Sequence, residues 1–254
     1  MTAAPADGEF YAAGFAATAV GGPRAVVVVK YGPMGPDTTF GTMGVAITPL
    51  VFVGGNDEID VITQSDGSIL VSATVANAIN AADRDVAVAR LSADGSLDTT
   101  FGVAGVATLN LNDAHNNGMM LVGLDSSRSI AVDSSDDILI HAASRALGVD
   151  GMGNPRTDTD FTVAKLTADG AIDTAFGTNG QYRLDIALAN ATPRGIKTLP
   201  DDTLLVSGYA NTPDVGDTVQ AVLYKLTAAG APDTGFATNG LFHEPVLTVQ
   251  TDIY

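Results

Sequence analysis

The chain contains no cysteine and no tryptophan. Without cysteine there is no disulfide framework, no thiolate metal site and no thiol nucleophile. Aromatic residues make up only 6% of the sequence, and much of that recurs at fixed repeat positions. Sugar sites commonly stack rings on exposed aromatics, so carbohydrate recognition is unsupported. Charged residues are few, at 16%, and mostly of one sign: 12 Lys and Arg against 29 Asp and Glu, a formal net charge of −17. Such a chain repels nucleic-acid phosphates and anionic membrane surfaces. The plain consequence of the charge is solubility; a cationic partner or a divalent metal is the sharper one. No apolar run approaches the ~18 residues of a membrane span, so no membrane insertion is expected. Residues 1–8 lack the basic-then-apolar pattern of a secretory signal. P-loop, Rossmann, H-E-x-x-H and G-x-S-x-G motifs are also missing.

What the chain does have is repetition. The segment 161–180 (FTVAKLTADGAIDTAFGTNG) returns at 25–44, 86–105 and 221–240. Each copy opens with a β-branched, apolar run that ends in one cation: Lys30, Arg90, Lys165 or Lys225. A turn leads into Asp-Thr-x-Phe, at Asp37 and Phe40, Asp98 and Phe101, Asp173 and Phe176, Asp233 and Phe236. A Gly follows four residues after every Phe, at Gly44, Gly105, Gly180 and Gly240. The pattern predicts strand, structured turn, strand. Gly allows positive φ, and Asp accepts bonds from its own turn backbone. The Phe is the plug that buries each turn against its neighbour. Four identical Asp sites for cations are the alternative to capping. Capping is preferred, because a residue present in every unit is usually solving that unit's packing problem.

Between the copies lies a second recurring pair of apolar runs, at 58–75, 129–144 and 194–209. Asp66-Gly67, Asp136-Asp137 and Asp201-Asp202 sit between the runs, a tight-hairpin signal. One period therefore holds four strands, a to d, and the Asp-Thr-x-Phe turn joins c to d. The Phe positions step by 61, 75 and 60 residues, the long step carrying an insertion at 145–160. Residues 7–15 read as a turn and strand b without a preceding a, and 247–254 as strand a without a following b. The two ends would complete one unit, which is how a ring of four-stranded units closes without a loose edge. The expected fold is all-β: one repeat domain over 1–254, a β-propeller of four-stranded antiparallel blades. Four blades closed by pairing of the terminal strands is the first expectation. Part of a larger ring shared between chains, or a β-solenoid, is the alternative.

The pattern (K/R)-L-x-x-D-G-x-x-D-T-x-F-G-x-x-G resembles the delta-60 repeat, a bacterial repeat predicted to fold as a β-propeller. Residues 90–105 and 165–180 match best, and the resemblance covers nearly the whole chain. The fourth copy departs at Ala229 and Ala237, the first at 31–36 where Gly and Pro replace the usual turn. The resemblance implies an architecture and no reaction. Many members are surface or secreted proteins, so an extracellular or cell-surface location is expected.

Strand alternation sends the near-identical a–b and c–d turns to one face. The irregular b–c loops (19–24, 77–85, 145–160, 211–218) and d–a loops (48–57, 110–121, 187–193) go to the other. Loops that vary on a fixed scaffold are where binding chemistry is grafted. Arg145, Asn154 and Arg156 in the insertion, with Asp113, His115 and Asn116 in a d–a loop, are the expected partner-binding residues. Asp150, Asp158 and Asp160 are oxygen ligands that could hold calcium, although their spacing is not an EF-hand loop. His115 beside Asp113 is a conceivable acid–base pair, but no nucleophile accompanies it. His141 reads as a satisfied strand residue and His243 as an outer-edge residue. The expectation is a non-enzymatic binding or structural module that meets another protein or another copy of itself, without a cofactor. The rival is a hydrolase- or lyase-type enzyme at the mouth of a central channel, with calcium as its metal.

Overall fold

A computed structural model describes residues 1–4, 8–17, 19–53, 58–80, 83–111, 125–154, 156–186, 189–212 and 218–244. Those residues form strands and turns without a helix. The first sheet holds β1 (Thr2–Ala3), β2 (Phe10–Ala17), β3 (Arg24–Gly32), the ribbon β4 (Gly35–Pro36) and β5 (Val45–Val51). The second holds β6 (Asp60–Thr63), β7 (Ile69–Ala76), β8 (Arg84–Leu91) and β9 (Val106–Leu109). The third holds β10 (Ser126–Val132), β11 (Ile138–Arg145), β12 (Thr159–Leu166) and β13 (Gln181–Leu184). The fourth holds β14 (Asn190–Thr198), β15 (Leu204–Thr212), β16 (Thr218–Leu226) and β17 (Leu241–Glu244). Every pairing is antiparallel, and sheets two to four are meanders in chain order. These are the four-stranded blades of a β-propeller.

The apolar runs become strands because they are buried on both faces. In β7, β8, β11 and β12 nearly every residue is inside, so side chains of both parities are hydrophobic or small. Ile69, Val71 and Ala73 pack on the first blade, while Leu70, Val86 and Val88 pack on the third. The third blade turns Leu139, Phe161 and Val163 toward the fourth. Three apolar clusters thus join four blades in sequence, first to second, second to third, third to fourth.

The repeat motif supplies the locks between blades. Phe40, Phe101 and Phe176 are buried. The Gly after each donates its N–H to the turn of the next blade: Gly41 to the Asp94 carbonyl at 2.7 Å, Gly102 to Asp169 at 2.9 Å, Gly177 to Ala229 at 2.8 Å. The recurring Asp is a cap paired with its cation. Asp37 accepts the Thr39 N–H at 3.0 Å and its hydroxyl at 2.6 Å, with Lys30 at 3.1 Å. Arg90 meets Asp98 at 2.8 Å and Lys225 meets Asp233 at 2.8 Å.

The expected chain ends need one correction. The first blade has its own short first strand: β1 pairs with β2 through Thr2 with Tyr11 and Ala3 with Phe10. Residues 247–254, expected to fill that place, lie outside the described residues.

Candidate functional site

The 145–160 insertion extends the β11–β12 hairpin beyond the sheet. Ala146 N–H donates to the Asp158 carbonyl at 2.9 Å and Arg156 N–H to Gly148 at 3.2 Å. The tip is a tight turn, closed by Asp150 N–H to Asn154 at 2.8 Å and Gly153 N–H to Asp150 at 3.0 Å. The Asp150 carboxylate accepts the N–H groups of Asn154 and Met152, each at 2.8 Å, and the Asn154 side-chain amide at 3.2 Å. The Asn154 bonds, ahead of that from Met152, hold the Asp150 carboxyl below its ordinary range. Asp150 is thus a turn cap. Leu147, Val149 and Met152 stand exposed on this loop, Met152 at 85%.

The base of the loop is held by charge. Arg156 is buried and reaches two carboxylates at once. Its Nε donates to Asp158 Oδ1 at 3.0 Å and its Nη2 to Asp158 Oδ2. Nη1 and Nη2 donate to Asp185 at 2.9 and 3.0 Å. Asp160 Oδ1 lies 3.6 Å from Nη2. Planar, bidentate bonding of this kind is the guanidinium's particular strength. The Asp158 bonds come first in raising the Arg156 pKa. Burial pushes the Asp160 carboxyl up to about 6 against the pull of Arg156, and the Asp185 charge adds to the rise.

A second buried charge lies beside the first. Arg183 on β13 donates to the backbone carbonyls of Arg145, at 3.2 Å, and Leu111. Burial lowers its pKa, while Asp125 and Asp160 oppose that shift. Asp125 is fully buried; its Oδ2 accepts the Leu111 N–H at 2.6 Å, and Oδ1 has no hydrogen-bond partner among the described residues. Desolvation pushes Asp125 up to about 8. Alongside runs a groove of about 780 Å³ lined by Leu111, Leu147, Gln181, Tyr182, Arg183 and the 230–232 turn. Its lining comes from β13 and the turn before it, from Leu111 and Leu147, and from the 230–232 turn of the fourth blade.

Asp158 and Asp160 come together with Asp185, their oxygens within 4.8 Å of one another; Asp150 is not in that group. The trio could ligate a cation by charge and spacing. It already encloses one, the Arg156 guanidinium. Arg156 is therefore a structural clamp, and Asn154 serves the turn at the tip. Arg145 ends β11 and offers its carbonyl to Arg183. Asp113, His115 and Asn116 lie outside the described residues. His141 is buried on β11, its Nε2 3.1 Å from the Tyr224 hydroxyl. His243 lies on β17, the outer strand.

The sequence reading missed Asp125, Arg183 and Asp185. Arg183 had a usable signal: its repeat equivalents are Ile47, Thr108 and His243, so a long, permanently charged side chain there breaks the pattern. At the inner edges, Glu58 pairs with Arg194 at 2.6 Å and Arg128 at 3.8 Å, linking the first strands of blades three and four to the second.

Residues 64–101 match a family described as a domain of unknown function (DUF5122) beta-propeller. The match spans the second blade from its a–b turn to its plug, Phe101. No curated protein matches the chain.

Proposed function

We propose that this protein is a non-enzymatic binding module, a β-propeller of delta-60-type repeats that holds a partner protein at the 145–160 loop and the adjoining groove. The observation that carries the reading is the exposure of Leu147, Val149 and Met152 on a loop whose base is clamped by Arg156. Apolar side chains held out in water by a rigid base lose little entropy when a partner covers them. Met adapts to varied partner surfaces. The groove beside Leu147 gives a partner segment a bed with polar groups from Gln181 and Asn179. A chain without cysteine and with a net charge of −17 suits an extracellular or cell-surface setting. The test exchanges 147–153 for a Gly-Ser segment of equal length, keeping Arg156 and its carboxylates. Crosslinking and affinity capture from surface extracts of the source cells should recover a partner with the native loop and lose it with the exchange. Equal recovery by both would overturn the reading.

A further inference from the structure

We propose that copies of this chain associate head to tail, the outer face of the fourth blade packing on the outer face of the first. The surface is separate from the insertion loop and does not rest on the function proposed for it.

The inference comes from comparing equivalent positions around the array. Each blade has an incoming face, toward the preceding blade, and an outgoing face, toward the next. Val28, Val88 and Val163 occupy the same outgoing position in blades one, two and three, and all are 0% exposed because the next blade covers them. Leu223 holds that position in blade four and is only half-buried. Its neighbour Phe242 is 42% exposed, and a groove of about 400 Å³ opens between them and Tyr209. On the incoming side, Ala87 and Ala89 of blade two are 0% exposed. Their equivalents in blade one, Val27 and Val29, are half-buried, and Ile47 on the neighbouring strand is 59% exposed.

Blades one and four therefore carry two unlike half-interfaces. Each is the counterpart of a pairing made three times inside the molecule. Among the described residues no apolar cluster joins blade four to blade one. A second copy presents both of them in the right pairing. Such unlike patches generate a closed ring or an open row, according to the rotation between copies.

The turn locks differ on blade four. Ala237 stands where the other blades have Gly, and Pro200, which has no N–H, stands where Ser65 and Ser134 donate to the next blade's Asp136 and Asp202. The outgoing face of blade four keeps the apolar half of the internal interface and lacks the N–H and hydroxyl that Ser65 and Ser134 donate. The association is accordingly weaker than the internal packing and depends on concentration.

Sedimentation of the whole chain across a concentration series tests the proposal, at about 0.5 M salt to screen the acidic surface. A species of two or more copies should build up toward about 100 µM. Val27→Glu and Leu223→Glu should each weaken association by at least about tenfold. Mixing these two variants should restore a two-copy species, because one native pair of faces remains between them. The milder Val27→Thr and Leu223→Ser serve if a Glu variant loses its native circular dichroism. Exchange of the 147–153 loop should leave association intact, which separates this result from the test of partner binding. A monomer throughout, variants that associate like the parent, or a mixture that stays monomeric would each overturn it.

Discussion

The ring of Phe101 rests on the backbone of Gly170 in the following blade: a Cβ at Gly170 would come within 2.8 Å of two ring carbons. The contact recurs between Phe40 and Gly95 and between Phe176 and Gly230. Each pairs a plug with the only residue small enough to receive it. Gly170 also has φ +86, so Gly170→Ala adds backbone strain to the clash. The expected loss is about 2–4 kcal/mol. Gly148 has φ +90 with nothing within 4 Å of a built Cβ, and isolates the backbone part. Gly148→Ala should cost only about 1–2 kcal/mol. Urea melts of the two variants compare them directly; equal losses would deny the ring contact any share.

The fourth blade offers the reverse experiment. Gly41, Gly102 and Gly177 have φ of 57, 52 and 55, and Ala237 occupies the same turn at φ 42. An L-residue in that region is strained, and Gly relieves the strain at some cost in unfolded-state entropy. Ala237→Gly should stabilise the chain by about 0.5–1 kcal/mol, seen as a higher urea midpoint at unchanged slope. A destabilised variant would show that Ala237 makes a contact worth more than its strain.

The blades were legible because every unit meets the same packing demand and meets it with the same residues. Phe101 and Phe176, the Asp98 and Asp233 caps, and the a–b turns at Asp136 and Asp202 all stand where their spacing placed them. Positive φ at Asp136 and Asp202 replaces the Gly of the second blade, as a tight hairpin requires. The charged base of the insertion was legible only in part. Arg156, Asp158 and Asp160 are close in sequence, and their proximity could be read. Asp185 comes from the far end of the blade and Asp125 from the loop before β10. Only folding brings them beside the loop, so no local spacing announces them. Asp150 is also near in sequence, and its carboxylate accepts N–H groups of its own turn.

Arg156 fixes what the acidic trio can bind. Removing it leaves Asp158 and Asp160 buried without their cation, and Arg156→Ala should destabilise the protein by about 3–5 kcal/mol. Asp185 is 41% exposed, so its share of the loss is small. With the guanidinium in place, calcium against EDTA should move the melting midpoint by less than about 1 °C. In Arg156→Ala the vacated trio should accept calcium, raising stability by about 2.7 kcal/mol at a hundredfold excess over the dissociation constant. A calcium response in the parent chain would show that the metal and the arginine do not compete.

Two buried groups set opposite limbs of the stability profile against pH. Asp125 is raised to about 8, first by desolvation, with the charges of Asp83 and Asp85 adding and the Leu111 N–H and Arg183 opposing. A folded pKa above the unfolded value means the protonated acid stabilises the fold. That contribution is full below about pH 4 and is lost as pH rises toward 8, by at most about 1.4 kcal/mol per pH unit. His141 is lowered to about 3 by burial, so its contribution is present above about pH 6.5 and is lost as pH falls. Asp37, held at about 2 first by the Thr39 hydroxyl, steepens the same acid limb at its lower end. The two limbs place the optimum between about pH 5 and 6. Asp125→Asn keeps an acceptor for the Leu111 N–H and cannot ionise. It should remove the decline between about pH 6 and 8, let the His141 rise run on to about pH 6.5, and leave the profile below about pH 4 as it was. Urea midpoints across that range decide it: an Asp125→Asn profile parallel to the parent's would mean that another group carries the alkaline limb.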